Sequence, residues 1–132
     1  MVRHSFSYYH RDLMTGLITP AMIYVPNGKV AVPVRAMWDT GASLCQITER
    51  MAKKMQLVSL GQRYFDTANG RMQTNIYELG LYLSPTLNIR KLYFGEVYGE
   101  SDFDILIGMS LISRGRFTLD GQGDARTLTF EI

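Results

Sequence analysis

The stretch of sequence that decides the fold is Trp38-Asp39-Thr40-Gly41-Ala42-Ser43. Its first residue, Trp38, ends the segment 30–38, in which apolar side chains recur at every second position, as they do in a β-strand. The Asp39 carboxylate therefore stands at a strand end, where Gly41 lets the backbone turn tightly and approach a ligand. This placement favours a functional site. Taken alone, the tripeptide fits equally well a plain loop whose Asp side chain bonds its own backbone.

The sequence on both sides of this stretch predicts many short strands and two short helices. Turn residues separate the strand-like segments, and a polar cap followed by good helix formers marks the first helix. The predicted strands cover residues 17–25, 30–38, 62–66, 73–83, 87–97, 105–107, 117–120 and 127–132, and the predicted helices cover residues 48–57 and 109–113. This pattern predicts a mainly β, single-domain protein built as a closed or partly closed β-barrel.

Length and composition narrow the class of protein. A chain of 132 residues has the size of one domain. We assign this domain to residues 17–132 and interpret residues 1–16, which show no clear period, as an N-terminal arm. The net charge is only +2, and the basic residues are scattered along the sequence instead of clustered. No nucleic-acid partner is therefore expected. Apolar runs are too short to cross a bilayer and no secretion signal is evident, so we expect a cytoplasmic protein without a membrane partner.

The residues that commonly bind metals are sparse. His4, His10 and Cys45 do not form a metal-binding pattern, and no phosphate-binding loop is present, so we expect neither a metal nor a cofactor. A single cysteine cannot form an internal disulfide, which agrees with a reducing compartment. We interpret Cys45, in its apolar context, as a buried and unreactive thiol.

Three separated blocks of the chain belong together. They are Trp38–Ser43 with the helix that follows, Asp66-Thr67-Ala68-Asn69-Gly70, and Phe103–Met109. In this order they resemble the retropepsin-like aspartic peptidases, including the bacterial and phage-borne members. The second block looks like the flap of that family, and the third is similar to its signature of two apolar residues before a glycine. The conjunction is far more specific than any one block.

The resemblance implies a role for individual residues. Asp39 would be the catalytic carboxylate, Thr40 would join the active-site loops across a dimer, and Gly41 with Ala42 would offer backbone groups to the substrate. The hairpin tip, Thr67-Ala68-Asn69-Gly70, would close over a bound extended peptide. Gly108 would support the site by close backbone approach beneath the Asp39 loop, although a glycine bulge is the commoner interpretation of a strand glycine without the first block.

Peptide hydrolysis explains why a second carboxylate is needed. One group must take a proton from water while another gives a proton to the amide. Two carboxylates about 3 Å apart share one proton, because like-charge repulsion keeps both from ionising. The chain contains one Asp-Thr-Gly, at residues 39–41. We therefore predict an aspartic endopeptidase that works as a homodimer, in which two-fold symmetry pairs the Asp39 residues of two copies.

Several features depart from the retroviral pattern and leave alternatives. Retroviral members often pair an acidic residue after the motif with an arginine after the later glycine, and this chain has Ser43 and Met109 there. The terminal strands of those enzymes have no residue-by-residue match, so Thr127–Ile132 is a candidate interface only. One alternative is a catalytically idle module of the same fold that binds peptides or assembles. Another is a monomeric barrel in which the motif occurs by chance.

Overall fold

The computed structural model describes residues 4–10, 16–67 and 70–132. The predicted mainly β fold is confirmed, and most predicted boundaries lie within a few residues of those observed. The elements are β1 Ser5–His10, β2 Ile18–Tyr24, β3 Ala31–Trp38, β4 Cys45–Thr48, α1 Glu49–Lys54, β5 Gly61–Thr67, β6 Gly70–Ser84, β7 Leu87–Val97, β8 Ile105–Ile107, α2 Met109–Ile112, β9 Arg116–Gln122 and β10 Ala125–Glu131.

Six strands form a closed barrel in the order β2-β3-β8-β4-β7-β6. The ring closes where Met22–Tyr24 of β2 pairs antiparallel with Gly80–Tyr82 of β6. Gly80 is required at this closure, because a Cβ there would overlap the ring of Tyr24. Aliphatic and aromatic side chains from all six strands fill the interior; those without exposed surface are Ile23, Ala36, Cys45, Ile47, Leu81, Phe94, Ile105 and Ile107.

A second sheet of three strands, in the order β1-β10-β9, packs against the barrel. Phe6 of β1 and Phe130 of β10 lie in the common core. Ser5–His10 fall in the proposed N-terminal arm, for which no strand was predicted, yet these residues form β1 and pair antiparallel with β10. The adjacent Tyr8 and Tyr9 obscure the alternation of polar and apolar side chains, and the partner strand lies at the other end of the chain, so local patterning carried no clear signal. Residues 11–15 of the proposed arm lie outside the described residues.

The two helices are short and begin where predicted. Thr48 caps α1 by accepting a hydrogen bond from the Met51 amide, at 3.2 Å. The prediction extended this helix to residue 57, but it ends at Lys54. Gln56 adopts a left-handed conformation with φ of 54°, and the Leu57 amide bonds back to the Ala52 carbonyl at 3.0 Å, a Schellman ending. No helix among the described residues is long and apolar enough to cross a bilayer.

Candidate active site

Asp39 lies directly after β3, at the point where the chain leaves the barrel. Its amide donates to the Ile107 carbonyl of β8 at 2.9 Å, and its own carbonyl accepts from the Ala42 amide at 3.2 Å. The carboxylate oxygen Oδ1 accepts from the Gly41 amide at 2.8 Å. Oδ2 accepts no hydrogen bond from the described residues. The loop therefore holds the carboxylate in place through one oxygen and leaves the other available.

The Gly41 bond has two interpretations. It is the self-bonding contact expected of a plain loop, and it also fixes a carboxylate for chemistry. The bond by itself does not decide between them. The contacts that the neighbouring segments make with this loop distinguish the two interpretations.

Trp38 anchors the loop from below. Its indole is buried, and Nε1 donates to Thr19 Oγ1 at 3.0 Å. Three aromatic rings of the second sheet surround it, with centroid distances of 6.3 Å to Phe6, 5.6 Å to Phe117 and 5.5 Å to Phe130. Since packed aromatic rings resist displacement, the residue next to Asp39 cannot move without disturbing the contact between barrel and sheet.

Gly108 lies against the same loop, as the sequence predicted. A Cβ at this position would be 2.7 Å from the Leu44 carbonyl carbon and 2.8 Å from the Ala42 oxygen, and both are backbone atoms. Any side chain would therefore force the loop away. This close contact favours the interpretation of Gly108 as a site of close backbone approach over that of a glycine bulge in an ordinary sheet.

The first turn of α2 completes the support. The Met109 amide donates to the Ala42 carbonyl at 2.7 Å, and the Ser110 amide donates to the Ser43 carbonyl at 2.9 Å. The first amides of a helix have no partner inside the helix, and here the loop supplies one. Ser43 and Met109, which replace the charged pair of retroviral members, thus belong to segments joined by backbone hydrogen bonds.

The residues at the tip of the loop are open to solvent in a single copy. Thr40 and Gly41 are exposed, while Asp39 and Ala42 are half-buried. Thr40 makes no hydrogen bond with the described residues. The Gly41 carbonyl also accepts none within them. Both groups are available to a partner molecule.

The predicted hairpin is present and extends from the barrel. Strand β5 pairs antiparallel with residues 70–76 of β6, up to the pair Thr67–Gly70. Residues 61–64 and 70–73 are exposed, whereas β6 becomes mostly buried from Thr74 onward. Gly70 has φ of 108°, a conformation that favours glycine. Ala68 and Asn69, two of the predicted substrate-contacting residues, lie outside the described residues.

A groove of about 630 Å³ joins the Asp39 loop to the root of the hairpin. Leu44 contributes from the loop, Tyr93 from β7, and the hairpin and the residue before it contribute the rest: Leu60, Gly61, Gln62, Arg63, Tyr64 and Ile76. Sequence reasoning missed all of these residues. Alternation within residues 60–64 could have indicated one face of the hairpin, but nothing local showed that Leu44 or Tyr93 faces it.

Cys45 does not contribute reactive chemistry at this site. It is buried, and its Sγ accepts from Ser110 Oγ at 3.6 Å. Burial raises the pKa of the Cys45 thiol, although the Ser110 hydroxyl opposes the shift, so the thiol stays protonated at neutral pH. Within the described residues, no group of three or more His, Cys, Asp or Glu side chains is placed to hold a metal ion.

Comparisons with known proteins agree with this geometry. Residues 19–111 match the sequence model of a family described as Aspartyl protease. No curated protein matches the sequence. The chain is similar in structure to a retropepsin-like aspartic protease from Rickettsia conorii, with a TM-score of 0.64 and 20% identity over 99% of this chain and 96% of that one. It is also similar to the EIAV protease in complex with an inhibitor, with a TM-score of 0.55 and 13% identity over 77% and 89% of the two chains.

Proposed function

The chain belongs to the aspartyl protease family, and from this premise we propose that it is the subunit of a homodimeric aspartic endopeptidase. The observation that carries the proposal is the Asp39 loop. Its backbone is fixed by Ile107, Gly108 and α2, and one carboxylate oxygen is left without a partner among the described residues.

The chemistry requires two copies. Each copy supplies one Asp39, and the exposed Thr40 side chains provide hydrogen-bonding groups at the meeting point of the two loops. The paired carboxylates share one proton, because both cannot be ionised at such short separation. The ionised member takes a proton from the attacking water, and the protonated member gives its proton to the departing amine. Neither Asp39 could perform both steps efficiently alone.

The substrate is an extended peptide held between the loop and the hairpin. The Gly41 carbonyl can accept from a peptide N–H, and the adjacent half-buried Ala42 completes this wall of the cleft. The groove that Leu44, Tyr64 and Tyr93 line provides room for side chains of the peptide. The tip residues Thr67, Ala68, Asn69 and Gly70 cover the peptide from above and exclude water from the reacting bond.

The proposal is tested by comparing wild type with Asp39→Asn on an unbiased peptide library from acid to neutral pH. The variant keeps the size and the hydrogen-bonding oxygen but cannot share a proton, so cleavage should fall by about a thousandfold or more. Asp124→Asn, an exposed change in the β9–β10 turn, is the matched control and should cleave like wild type.

Two results would contradict the proposal. A folded wild-type dimer that cleaves no peptide would favour the idle peptide-binding module instead. Equal cleavage by wild type and Asp39→Asn would show that another group performs the chemistry.

A further inference from the structure

Glu96 is a buried carboxylate at the root of the hairpin, and the chemistry of Asp39 does not use it. Its exposed fraction is 9%. Burying a carboxylate is unfavourable unless its oxygens are well hydrogen-bonded. Oε1 accepts from the Tyr77 hydroxyl at 2.7 Å, and Oε2 accepts from Asn75 Nδ2 at 3.2 Å. Both partners belong to β6, so one residue of β7 holds the strand that continues into the hairpin.

The backbone of Glu96 is tied to the same strand. The last backbone pair between β6 and β7 at this end joins Ile76 to Gly95. One step further, the Thr74 hydroxyl donates to the Glu96 carbonyl at 2.7 Å and accepts from the Glu96 amide at 2.9 Å. The Thr74 side chain thus continues the hydrogen bonding between β6 and β7 beyond their last backbone pair. Thr74 is buried, although the residues before it on β6 are exposed.

From Glu96 a chain of hydrogen bonds runs outward across the hairpin. Asn75 Oδ1 accepts from Gln62 Nε2 at 3.3 Å, and Gln62 Oε1 accepts from Gln73 Nε2. Asn75 presents its NH2 group to Glu96 Oε2, because an amide nitrogen donates and a carboxylate oxygen accepts. The Asn75 oxygen must then face Gln62, and the Gln62 oxygen must face Gln73. One carboxylate therefore fixes the orientation of three amides on two strands.

Two tyrosines complete the surroundings of Glu96. Burial, with the nearby Glu96 carboxylate as the second cause, raises the pKa of Tyr77 to about 12. A hydrogen bond to Glu96, followed by burial, raises the pKa of Tyr98 to about 12. Both hydroxyls therefore keep their protons at neutral pH, and the Tyr77 hydroxyl donates to the carboxylate. Glu49 and Lys53 of the neighbouring helix α1 form an ion pair with each other at 2.6 Å.

Away from this root, the described side chains of the hairpin contribute little to the buried core. The described side chains at positions 61–64 and 70–73 are exposed, and the Arg71 guanidinium lies 5.2 Å from the Tyr64 ring centroid. Exposed backbone with few buried contacts is the kind of segment that opens locally. The position of the hairpin thus depends on its root.

We propose that Glu96 is a positioning residue whose carboxylate sets the angle of the β5–β6 hairpin over the groove through its bonds to Asn75 and Tyr77. Its effect on peptide binding rests on the proposed peptidase function. Its effect on the hairpin does not.

The experiment follows hydrogen exchange along the backbone of the purified protein without substrate. Glu96→Met keeps the length of the side chain and removes both acceptors, so exchange at residues 62–64 and 71–74 should rise about tenfold or more while residues 79–83 of β6 keep their protection. Glu96→Gln, which retains an acceptor oxygen, should restore much of the protection. Glu78→Met, on β6 and paired with Lys91 of β7 at 3.4 Å, is the matched control and should leave the hairpin unchanged.

A surface variant keeps the test informative if Glu96→Met fails to fold. Gln62→Ala interrupts the amide chain at an exposed position and should raise exchange at the hairpin alone, by a smaller factor. Steady-state cleavage provides a second measurement, in which Glu96→Met should raise KM several-fold with a smaller change in kcat, and Glu96→Gln should recover the KM.

The outcomes separate the two proposals. Unchanged hairpin exchange in Glu96→Met and Gln62→Ala, or an equal rise in the hairpin and the barrel, would overturn the positioning role. If wild type cleaves no peptide while exchange rises in the hairpin alone, the peptidase proposal fails and the role of Glu96 in holding the hairpin stands.

Discussion

The Asp39 loop and the β5–β6 hairpin face the same groove but are held by opposite means. The loop is fixed by backbone hydrogen bonds to Ile107, Met109 and Ser110, and by a glycine too close to accept a side chain. The hairpin is held mainly at its root, by side chains that meet Glu96. A reacting group needs a fixed position, whereas a cover must admit and release a peptide. The difference suits the two roles that we propose for these regions.

Gly108→Ala is the change that should break the fixed region most severely. The added methyl group would overlap backbone atoms of Leu44 and Ala42, which cannot rotate away. We expect a loss of about 3 kcal/mol or more in the free energy of unfolding, together with the loss of cleavage. Urea denaturation followed by Trp38 fluorescence measures the stability.

Gly121→Ala provides the control for that change, since an added Cβ there meets nothing within 4 Å. Its unfolding free energy should change by less than about 0.5 kcal/mol. If Gly108→Ala were as stable as this control, the close contact that defines the fixed region would be wrong.

Tyr77→Phe should weaken the root of the hairpin. Loss of the hydroxyl removes one hydrogen bond from a buried carboxylate, at an expected cost of about 1–2 kcal/mol at neutral pH. The pKa of Tyr77, raised to about 12 in the folded protein, lies above the ordinary value of about 10. The stability linked to this raised pKa is complete below pH 10 and is lost as the pH rises through 12.

The measurement is the urea midpoint of wild type and variant across this alkaline range. Wild type should lose stability more steeply than Tyr77→Phe, while Tyr9→Phe, at an exposed tyrosine, should keep the wild-type slope. Parallel curves for wild type and Tyr77→Phe would show that the hydroxyl does not stabilise the root.

Tyr64→Ala should have the smallest effect on stability, and it tests whether the hairpin contributes to peptide binding. The side chain is 62% exposed and lines the groove, so the unfolding free energy should change by less than about 0.5 kcal/mol. The KM for peptide should nevertheless rise about fivefold, or by about 1 kcal/mol of binding. Met72→Ala, 50% exposed and outside the groove lining, should leave KM unchanged, and equal KM values for the two variants would count against the groove.

The sequence predicted the neighbourhood of the Asp39 loop better than the root of the hairpin, for a physical reason. The Asp39 loop and Gly108 lie at the ends of strands with strong apolar patterns, and a glycine within such a pattern indicates close approach. The strands of the hairpin were also predicted. Glu96 was not recognised, because a glutamate in a strand normally faces water and its partners Thr74 and Tyr77 lie about twenty residues away.

The remaining differences arise from contacts between distant parts of the chain. Strand β1 forms because β10 pairs with it, and the barrel closes through the pairing of β2 with β6. Neither pairing could be predicted from the alternation of apolar residues along a short segment, because each joins strands that are distant in the sequence. The groove has the same origin, since Leu44 and Tyr93 come together only in the folded barrel.

The central claim is that the working site needs Asp39 from two copies, and subunit mixing tests it most directly. Wild type and Asp39→Asn are combined in equal amounts, dissociated in urea and reassembled. The cleavage activity of the mixture is compared with that of wild type alone, treated in the same way and at the same total protein concentration. Random pairing leaves about one quarter of the dimers with two Asp39 residues, so activity should fall to about one quarter, and mixing with Asp124→Asn should cause no loss. Activity of about one half would mean that each chain works alone, and it would contradict the account.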